Sequence, residues 1–274
     1  MGLEKYSIQE VPSMKTFYKV LISFMIGICL IVVGISIGGM SQISSIAFFQ
    51  NFHMEWGYER MNDIYFESQN QVDELKIDVH QGNVQIHQSH DIHSLKVEAK
   101  NLYSGFDVYQ DNEKVVVDQP HYWWFYQPGH AQIDIYVPEN MSLDKIKINM
   151  SAGRAKIDNI KADKIEVDSA AGDLSINHIE CDKFDLDTSM GNTSIKYLTA
   201  NKINADCGMG NVKMLLNGRE SDYNYNIDVG LGNINIGGEK FSGIAKKQSH
   251  RNDGMKKLDV DCGLGNVDIE MEDL

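Results

Sequence analysis

The chain lacks the sequence signatures that most enzyme classes need. No His-Glu-x-x-His, phosphate-binding loop or dinucleotide fingerprint occurs in its 274 residues. An enzyme that acts on polysaccharide needs a few acids and bases converging at one irregular place, whereas the acidic residues here recur at regular positions. We therefore predict a protein that is not an enzyme, with no catalytic residue and no cofactor. A polysaccharide-acting enzyme is the less favoured alternative.

Positive charge is also scarce. Lys and Arg number 25 against 39 Asp and Glu, which gives a net charge of −14. Residues 1–40 contain three lysines and two glutamates, a net +1, so the residues after Met40 carry −15. A surface of that sign repels phosphate backbones, and nucleic acid is therefore not an expected partner.

The few cysteines have no paired spacing. Cys29, Cys181, Cys207 and Cys262 match neither a zinc site nor a disulfide framework. Cys207 and Cys262 occupy the same position in two copies of a repeat, where the other copies hold Val, Met, Ser or Thr. Because free cysteine is usually buried and unreactive, we predict structural thiols there; functional thiols are the alternative.

The sequence does contain a clear repeat. A repeat unit of twelve residues, which we call the phrase, occurs seven times; one copy is INADCGMGNVKM at Ile203–Met214. The four copies within Ile146–Met214 follow one another at a constant step of about 19 residues. Positions are counted from the first residue of the phrase. Position 8 is glycine, apolar residues precede it at positions 1 and 3, and apolar residues follow it at positions 10 and 12. Each phrase is therefore predicted to be a strand, a tight turn and a second strand. The structural repeat glycines are Gly82, Gly153, Gly172, Gly191, Gly210, Gly232 and Gly265.

The linkers between regular copies indicate a third inward-facing side, since each has an apolar residue at its third position (Ile160, Ile179, Leu198). A single coil cannot bury its own apolar face, whereas a stack of coils makes a continuous core. We predict an all-β fold, a right-handed parallel β-helix or solenoid of ~19-residue coils, preceded by one N-terminal transmembrane helix. Further strands are predicted upstream, at 75–79, 84–87, 94–100, 106–110, 113–118 and 132–137.

Stacking predicts columns of like residues about 4.8 Å apart. The residue after each glycine forms a near-continuous asparagine ladder. Aspartate predominates at position 4, and lysine recurs just before position 1. We expect a charged, solvated face on which lysine columns partly neutralise aspartate columns; cation binding along the aspartates is the alternative. The position-4 residues are Asp78, Asn149, Asp168, Asp187, Asp206, Asp228 and Asp261, and the lysines are Lys145, Lys164, Lys183, Lys202 and Lys257.

The uncharged segment Val20–Met40 is long enough to span a bilayer of ~30 Å. We favour an uncleaved anchor over a cleaved signal peptide or a buried helix. Lysines before the span place the N-terminus in the cytoplasm. The predicted organisation is a cytoplasmic tail at 1–19, a transmembrane anchor at 20–40, a stalk at 41–70 and an extracytoplasmic β-solenoid at 71–274.

Three further segments are candidate functional sites. Five consecutive aromatic residues at 122–126 suit an interaction surface or a cap on the open end of the solenoid. His87, His90 and His93 are expected on a polar turn, with a metal site as the alternative. The basic insertion at 237–257 is predicted to be a loop leaving the solenoid, with contact to an anionic polymer or lipid as the alternative. The aromatic residues are Tyr122, Trp123, Trp124, Phe125 and Tyr126.

The repeated phrase, the IDIYVPEN segment before it and the N-terminal anchor resemble a bacterial family of candidate adhesins. These are β-strand-repeat domains of unknown function that include LiaG-like envelope proteins. The resemblance covers Gln71–Leu274 and departs at the insertion after Gly238 and at the aromatic cluster. It implies a right-handed β-helical domain tethered to the membrane of Gram-positive bacteria, in some members associated with envelope stress, and it supplies no catalytic residues.

These observations predict a single-pass cell-membrane protein whose C-terminal domain is extracytoplasmic. The domain is expected to be a non-enzymatic, adhesin-like interaction or scaffold module of the cell envelope. Its partner is expected to be an envelope protein, a wall polymer or a host surface. The alternative is a regulator of an envelope-stress response that acts through protein or lipid binding.

Overall fold

Alternating apolar and polar residues form β-strands along nearly all of the chain that the computed structural model describes, residues 60–120, 131–242 and 246–273. These residues belong to one unit that begins at Tyr58. The strands are β1 (Ile64–Glu67), β2 (Glu74–Ser89), β3 (Lys96–Lys100), β4 (Asp107–Asp111), β5 (Lys114–Asp118), β6 (Ala131–Pro138), β7 (Leu143–Glu180), β8 (Lys183–Thr199), β9 (Lys202–Cys207), β10 (Asn211–Asn217), β11 (Tyr223–Val229), β12 (Asn233–Ile236), β13 (Glu239–Ser242), β14 (Lys246–His250), β15 (Lys256–Cys262) and β16 (Asn266–Glu272).

The predicted all-β class is confirmed, and the predicted upstream strands are present, with 75–79 and 84–87 joined in β2. The one helical element in the described ranges is a 3₁₀ turn at Glu220–Asp222. None of the described helical segments has the length and apolarity to cross a membrane. The predicted anchor at 20–40 lies outside the described residues.

The repeat copies stack as parallel coils in the register that their sequence alignment predicts. Gly82 of β2 aligns with Gly153 of β7, and Gly172 of β7 aligns with Gly191 of β8. A slip of one residue would turn every inward apolar side chain to solvent, so the buried face fixes this register. The third side is confirmed as well: Ile160, Ile179 and Leu198 are all buried.

The spatial order of the last two copies is reversed relative to the sequence. The copy at Leu258–Ile269, which we call the inserted coil, pairs through β15 and β16 with β9 and β10 on one side. On its other side it pairs with β11 and β12, which contain the copy at Tyr225–Ile236, the terminal coil. The C-terminal copy is therefore an interior layer, and the copy before it lies at the end of the stack.

The insertion at 237–257 was predicted to be a loop leaving the solenoid, and this prediction is wrong. β13 pairs antiparallel with β12, and β14 pairs antiparallel with β11. Both strands form hydrogen bonds with backbone groups of the terminal coil that would otherwise be unpaired at the end of the stack. An uncovered strand edge is a template for aggregation, so the insertion covers the edge of the terminal coil.

Antiparallel strands also cover the opposite end of the stack. β5 and β6 lie parallel on β2, and together they form one more layer. On that layer β4 pairs antiparallel with β5, β3 pairs antiparallel with β6, and β1 pairs antiparallel with β3. The alternating residues of β1 fall within 41–70, the predicted stalk, so the folded unit begins earlier than the sequence boundary at Gln71.

Candidate functional site

The seven repeat glycines lie in one row along the stack. A Cβ added to Gly153 would lie 1.9 Å from the carbonyl oxygen of Gly82, and one added to Gly265 would lie 2.1 Å from that of Gly210. The backbone of each coil thus approaches the next more closely than a side chain permits. Positive φ is an additional reason for glycine at Gly153 (130°) and Gly191 (143°). We call phrase positions 6–8 of the stacked coils the corner edge.

The corner edge has an exposed apolar crest at position 7 over four adjacent coils. The side chains of Met190, Met209, Leu264 and Leu231 are 49–61% exposed. The N–H of Met209 donates to the carbonyl of Ser189 at 2.8 Å, that of Leu264 to Gly208 at 2.7 Å, and that of Leu231 to Gly263 at 2.7 Å. Each apolar side chain is therefore about 4.8 Å from the next along the stack. We refer to these four residues as the crest.

Asparagines line one side of the crest, as the sequence predicted. The Nδ2 of Asn211 donates to Oδ1 of Asn192, that of Asn266 to Asn211, and that of Asn233 to Asn266, each at 3.0 Å. The ladder continues to Asp173, which accepts from Asn192 at 3.1 Å. The three inner amides, Asn192, Asn211 and Asn266, each use one donor and one acceptor within the ladder, so the side chains that flank the crest are fixed and uncharged.

The lysine row neutralises a different column from the one predicted. Lys164 and Lys183 contact carboxylates at position 2 of the phrase, Glu166 and Asp185, because position 2 is the nearest outward-facing site on the strand. At position 4, burial and then the neighbouring aspartates raise the pKa of Asp206 above its usual range. The described residues contain no group of three His, Cys, Asp or Glu side chains arranged to hold a metal ion.

Glu166 is the most strongly stabilised carboxylate of the outer face. It accepts a hydrogen bond from Lys164, and its Oε2 lies 2.9 Å from the Nζ of Lys145 and 3.8 Å from that of Lys147. The hydrogen bond from Lys164, followed by the one from Lys145, lowers the pKa of Glu166 to about 2. A lowered carboxyl pKa stabilises the fold above the unfolded-state pKa and loses that effect as the pH falls through the folded-state value.

We expect Glu166→Gln to lower the free energy of unfolding at pH 7 by about 1–3 kcal/mol. One pKa unit corresponds to about 1.4 kcal/mol, and partial exposure of the carboxylate weakens its pairing with the lysines. The difference from wild type should shrink as the pH falls from about 4.5 to about 2. Urea unfolding at several pH values measures it. Glu180→Gln, which breaks an exposed pair with Lys161, is the control and should change stability by less than about 0.5 kcal/mol. A Glu166→Gln effect that persists unchanged at pH 2 would contradict the assignment.

The cysteines and histidines do not form a reactive centre within the described ranges. Cys207 and Cys262 are buried, and burial raises the pKa of Cys262 to about 11, which keeps its thiol protonated. His87 contacts Asp158 at 2.9 Å, His90 pairs with Glu139, and His93 makes neither contact. The three histidines therefore do not converge on one point.

The aromatic residues Tyr122–Tyr126 lie outside the described residues, but the strand ends that flank them are placed. Ala131 aligns with Gly82, so β6 begins in the row of repeat glycines. On the other flank the N–H of Gln119 donates to the carbonyl of Asp78, and its side-chain Oε1 accepts from the N–H of Gln81, both at 2.8 Å. Gln119 and Ala131, on either side of the undescribed residues, therefore both lie at the corner edge.

The model of one protein family, Toastrack DUF4097, matches residues 134–270, which is half of the chain. The chain belongs to the Toastrack DUF4097 family. The match includes residues 134–140 of the IDIYVPEN segment and six of the seven repeat glycines, so the resemblance to β-strand-repeat domains of unknown function is confirmed. The crest lies entirely within the Toastrack match.

The solved structures that match this Toastrack chain have low sequence identity to it. A candidate cell adhesion protein from Clostridium sporogenes is 14% identical, with a TM-score of 0.38, over 78% of this chain and 100% of its own. A candidate adhesin from Bacteroides fragilis is 14% identical, with a TM-score of 0.39, over 76% and 97%. A candidate lipid-binding protein from Parabacteroides distasonis is 12% identical, with a TM-score of 0.30, over 76% and 96%. No curated protein matches the chain.

Proposed function

We propose that this Toastrack protein is a non-enzymatic interaction module of the bacterial cell envelope and that it binds its partner along the corner edge. The observation on which the proposal rests is the crest. Half of the eight large hydrophobic side chains exposed in the described ranges lie in this one row, within a protein of net charge −14. Single exposed apolar residues are ordinary, whereas a contiguous row of them is typical of a binding surface.

The surroundings of the crest support binding to an uncharged, partly apolar surface. Over the four crest coils, phrase positions 5–9 contain no Asp, Glu, Lys or Arg. Charged residues are depleted in the buried centre of protein interfaces, where apolar and especially aromatic residues, Met and Arg predominate. The asparagine ladder beside the crest provides a rim that is polar but carries no charge to desolvate.

The aromatic residues Tyr122–Tyr126 are included in the proposed surface. The support for including them is that the described residues on either side, Gln119 and Ala131, meet the corner edge. Tyrosine and tryptophan contribute large contact areas and hydrogen bonds at interfaces. The proposal thus combines two features that lie far apart in the sequence.

We further propose that the right-handed stack is held outside the cytoplasm by the anchor at Val20–Met40. The support is the length of this uncharged segment and the lysines that precede it. In that arrangement the corner edge faces envelope proteins, wall polymers or a host surface.

Photocross-linking in intact cells tests the crest. With the full chain expressed, p-benzoylphenylalanine in place of Met209 or Leu264 should give a discrete cross-linked species after irradiation. The same residue in place of Met255, which is 96% exposed but outside the corner edge, should not. Adding Met190→Ser and Leu231→Ser to the Met209 reporter should reduce the yield severalfold, because the partner would lose half of the apolar row.

Two results would count against the proposal: equal cross-linking from positions 209 and 255, or a yield unaffected by Met190→Ser and Leu231→Ser. Protoplasts of the same cells report the orientation. Added protease should degrade the repeats and leave residues 1–19 protected, and the reverse pattern would reject the proposed topology.

A further inference from the structure

A second candidate site lies away from the corner edge, at the other end of β6. Three loops, residues 68–72, 92–94 and 138–142, line an open pocket of about 530 Å³. This volume is within the range of about 300–1,000 Å³ that is usual for small-molecule sites. β6 begins at the corner edge with Ala131 and ends at the pocket with Pro138, so the two sites are seven residues, or about 23 Å, apart along the strand.

The pocket lining is uncharged although the protein is strongly acidic. None of the twelve lining residues is Asp, Glu, Lys or Arg. The lining consists of amide and hydroxyl side chains, one imidazole, that of His93, and four apolar residues, among them Val72 and Met141. Carboxylates occur next to the lining, but Glu139 is paired with His90, and Asp73 accepts from Gln71.

Several amide groups of the lining have no partner of their own. The side chains of Gln69, Asn70 and Asn140 are exposed and make no hydrogen bond with any described residue. Each amide offers two donors and an acceptor with two lone pairs. A ligand that presents groups able both to donate and to accept, without net charge, fits this set.

The loop that carries Gln69 and Asn70 is held in place before any ligand binds. Gln110 accepts from the N–H of Gln69 at 3.1 Å and donates to the carbonyls of Asn70 at 3.4 Å and Gln71 at 3.0 Å. Buried Ser68 exchanges two hydrogen bonds with Leu95, at 2.9 and 3.0 Å. A preorganised site loses less conformational entropy on binding, so these contacts favour recognition of a ligand.

We propose that this pocket binds an uncharged oligosaccharide. Sugar hydroxyls are at once donors and acceptors, which matches the free amides, and the C–H faces of sugar rings are apolar enough to lie on the partly exposed Ile92 and Met141. Acidic saccharides are excluded, because the protein around the pocket is negatively charged and no Lys or Arg of the lining is available to bind a carboxylate.

Isothermal titration calorimetry of the full chain in phosphatidylcholine nanodiscs tests the proposal. The probes are N,N′,N″-triacetylchitotriose and maltotriose, both neutral, and trigalacturonate as the acidic comparator. At least one neutral trisaccharide should bind, and trigalacturonate should bind at least tenfold more weakly. Asn70→Ala with Asn140→Ala should lower the affinity on the order of tenfold, the factor that two hydrogen bonds of ordinary net strength supply.

Ser142→Trp, at an exposed position of the lining, should block binding by filling the pocket. Asn62→Ala removes an exposed amide outside the lining and should leave the affinity unchanged. The proposal is overturned if neither neutral trisaccharide binds at millimolar concentration, if trigalacturonate binds equally well, or if Ser142→Trp and the double variant bind like wild type. Crest variants leave the pocket intact. A negative result for saccharide binding in the pocket is therefore distinguishable from a negative result for partner binding along the corner edge.

Discussion

A chain ended at Gly254 is expected to lose its native fold from the coil at Ile203–Met214 onward, although it retains six of the seven repeat copies. The truncation removes the inserted coil, whose side chains Leu258, Val260, Cys262, Val267 and Ile269 are at most 3% exposed. Burial of five such side chains contributes roughly 7–12 kcal/mol, which is comparable with the whole stability of an ordinary domain. The terminal coil would also lose the parallel partners of β11 and β12.

An internal deletion is the matched control. Deleting Glu220–Met255 removes the terminal coil and its covering strands but leaves seven residues between Met214 and Leu258, the length of the regular linkers. Gly265 would then follow Gly210 at the same step as Gly210 follows Gly191. We expect this variant to fold, with an uncovered edge that promotes self-association.

Circular dichroism and thermal unfolding distinguish the two variants. The truncated chain should show reduced strand content, whereas the internal deletion should keep a cooperative transition. If both variants unfold alike, the C-terminal copy is not an interior layer of the folded protein.

Gly172→Ala is expected to lower the free energy of unfolding by about 3–5 kcal/mol, a very large effect for one methyl group. The added Cβ would lie 2.3 Å from the carbonyl oxygen of Gly153, which belongs to the backbone of the neighbouring coil. The collision cannot be relieved by a side-chain rotation, so two coils must move apart and weaken their parallel ladder. Guanidinium or thermal unfolding of the single variant measures the loss.

Gly238→Ala separates this steric effect from backbone strain. Gly238 has a φ of 91°, but nothing lies within 4 Å of an added Cβ. We expect a cost of about 1–2 kcal/mol there, the penalty of left-handed backbone for a residue with a Cβ. A cost at Gly172 no larger than that at Gly238 would show that the coils do not meet as closely as their glycine row indicates.

The repeat made most of the fold predictable. Period-2 alternation around one glycine determines the strands, their register and the inward faces, because all three follow from the geometry of stacked strands. The asparagine ladder followed from the same alignment. The lysine contacts did not, since Lys164 can reach several outward carboxylates and only coordinates show that Glu166 and Asp185 are the nearest.

The reversed order of the last two coils was missed, although the sequence contains a signal for it. Omitting Glu220–Met255 from the sequence brings Gly265 to the regular repeat step after Gly210. An insertion that preserves the register of the next copy indicates an excursion from a continuous stack. The crest was missed for a different reason: apolar residues at a turn are uninformative singly, and only stacking brings Met209 and Leu264 together.

The position of the inserted coil constrains how the protein can be made. The ribosome releases Leu258–Ile269 only after the terminal coil and the strands that cover it have emerged. The stack therefore cannot form layer by layer in the order of synthesis. The terminal coil either remains without its neighbour, or it first docks on a coil that is not its final neighbour and is then displaced. Until Leu258–Ile269 has emerged, the nascent chain exposes an unpaired β edge that a chaperone or a second chain can occupy.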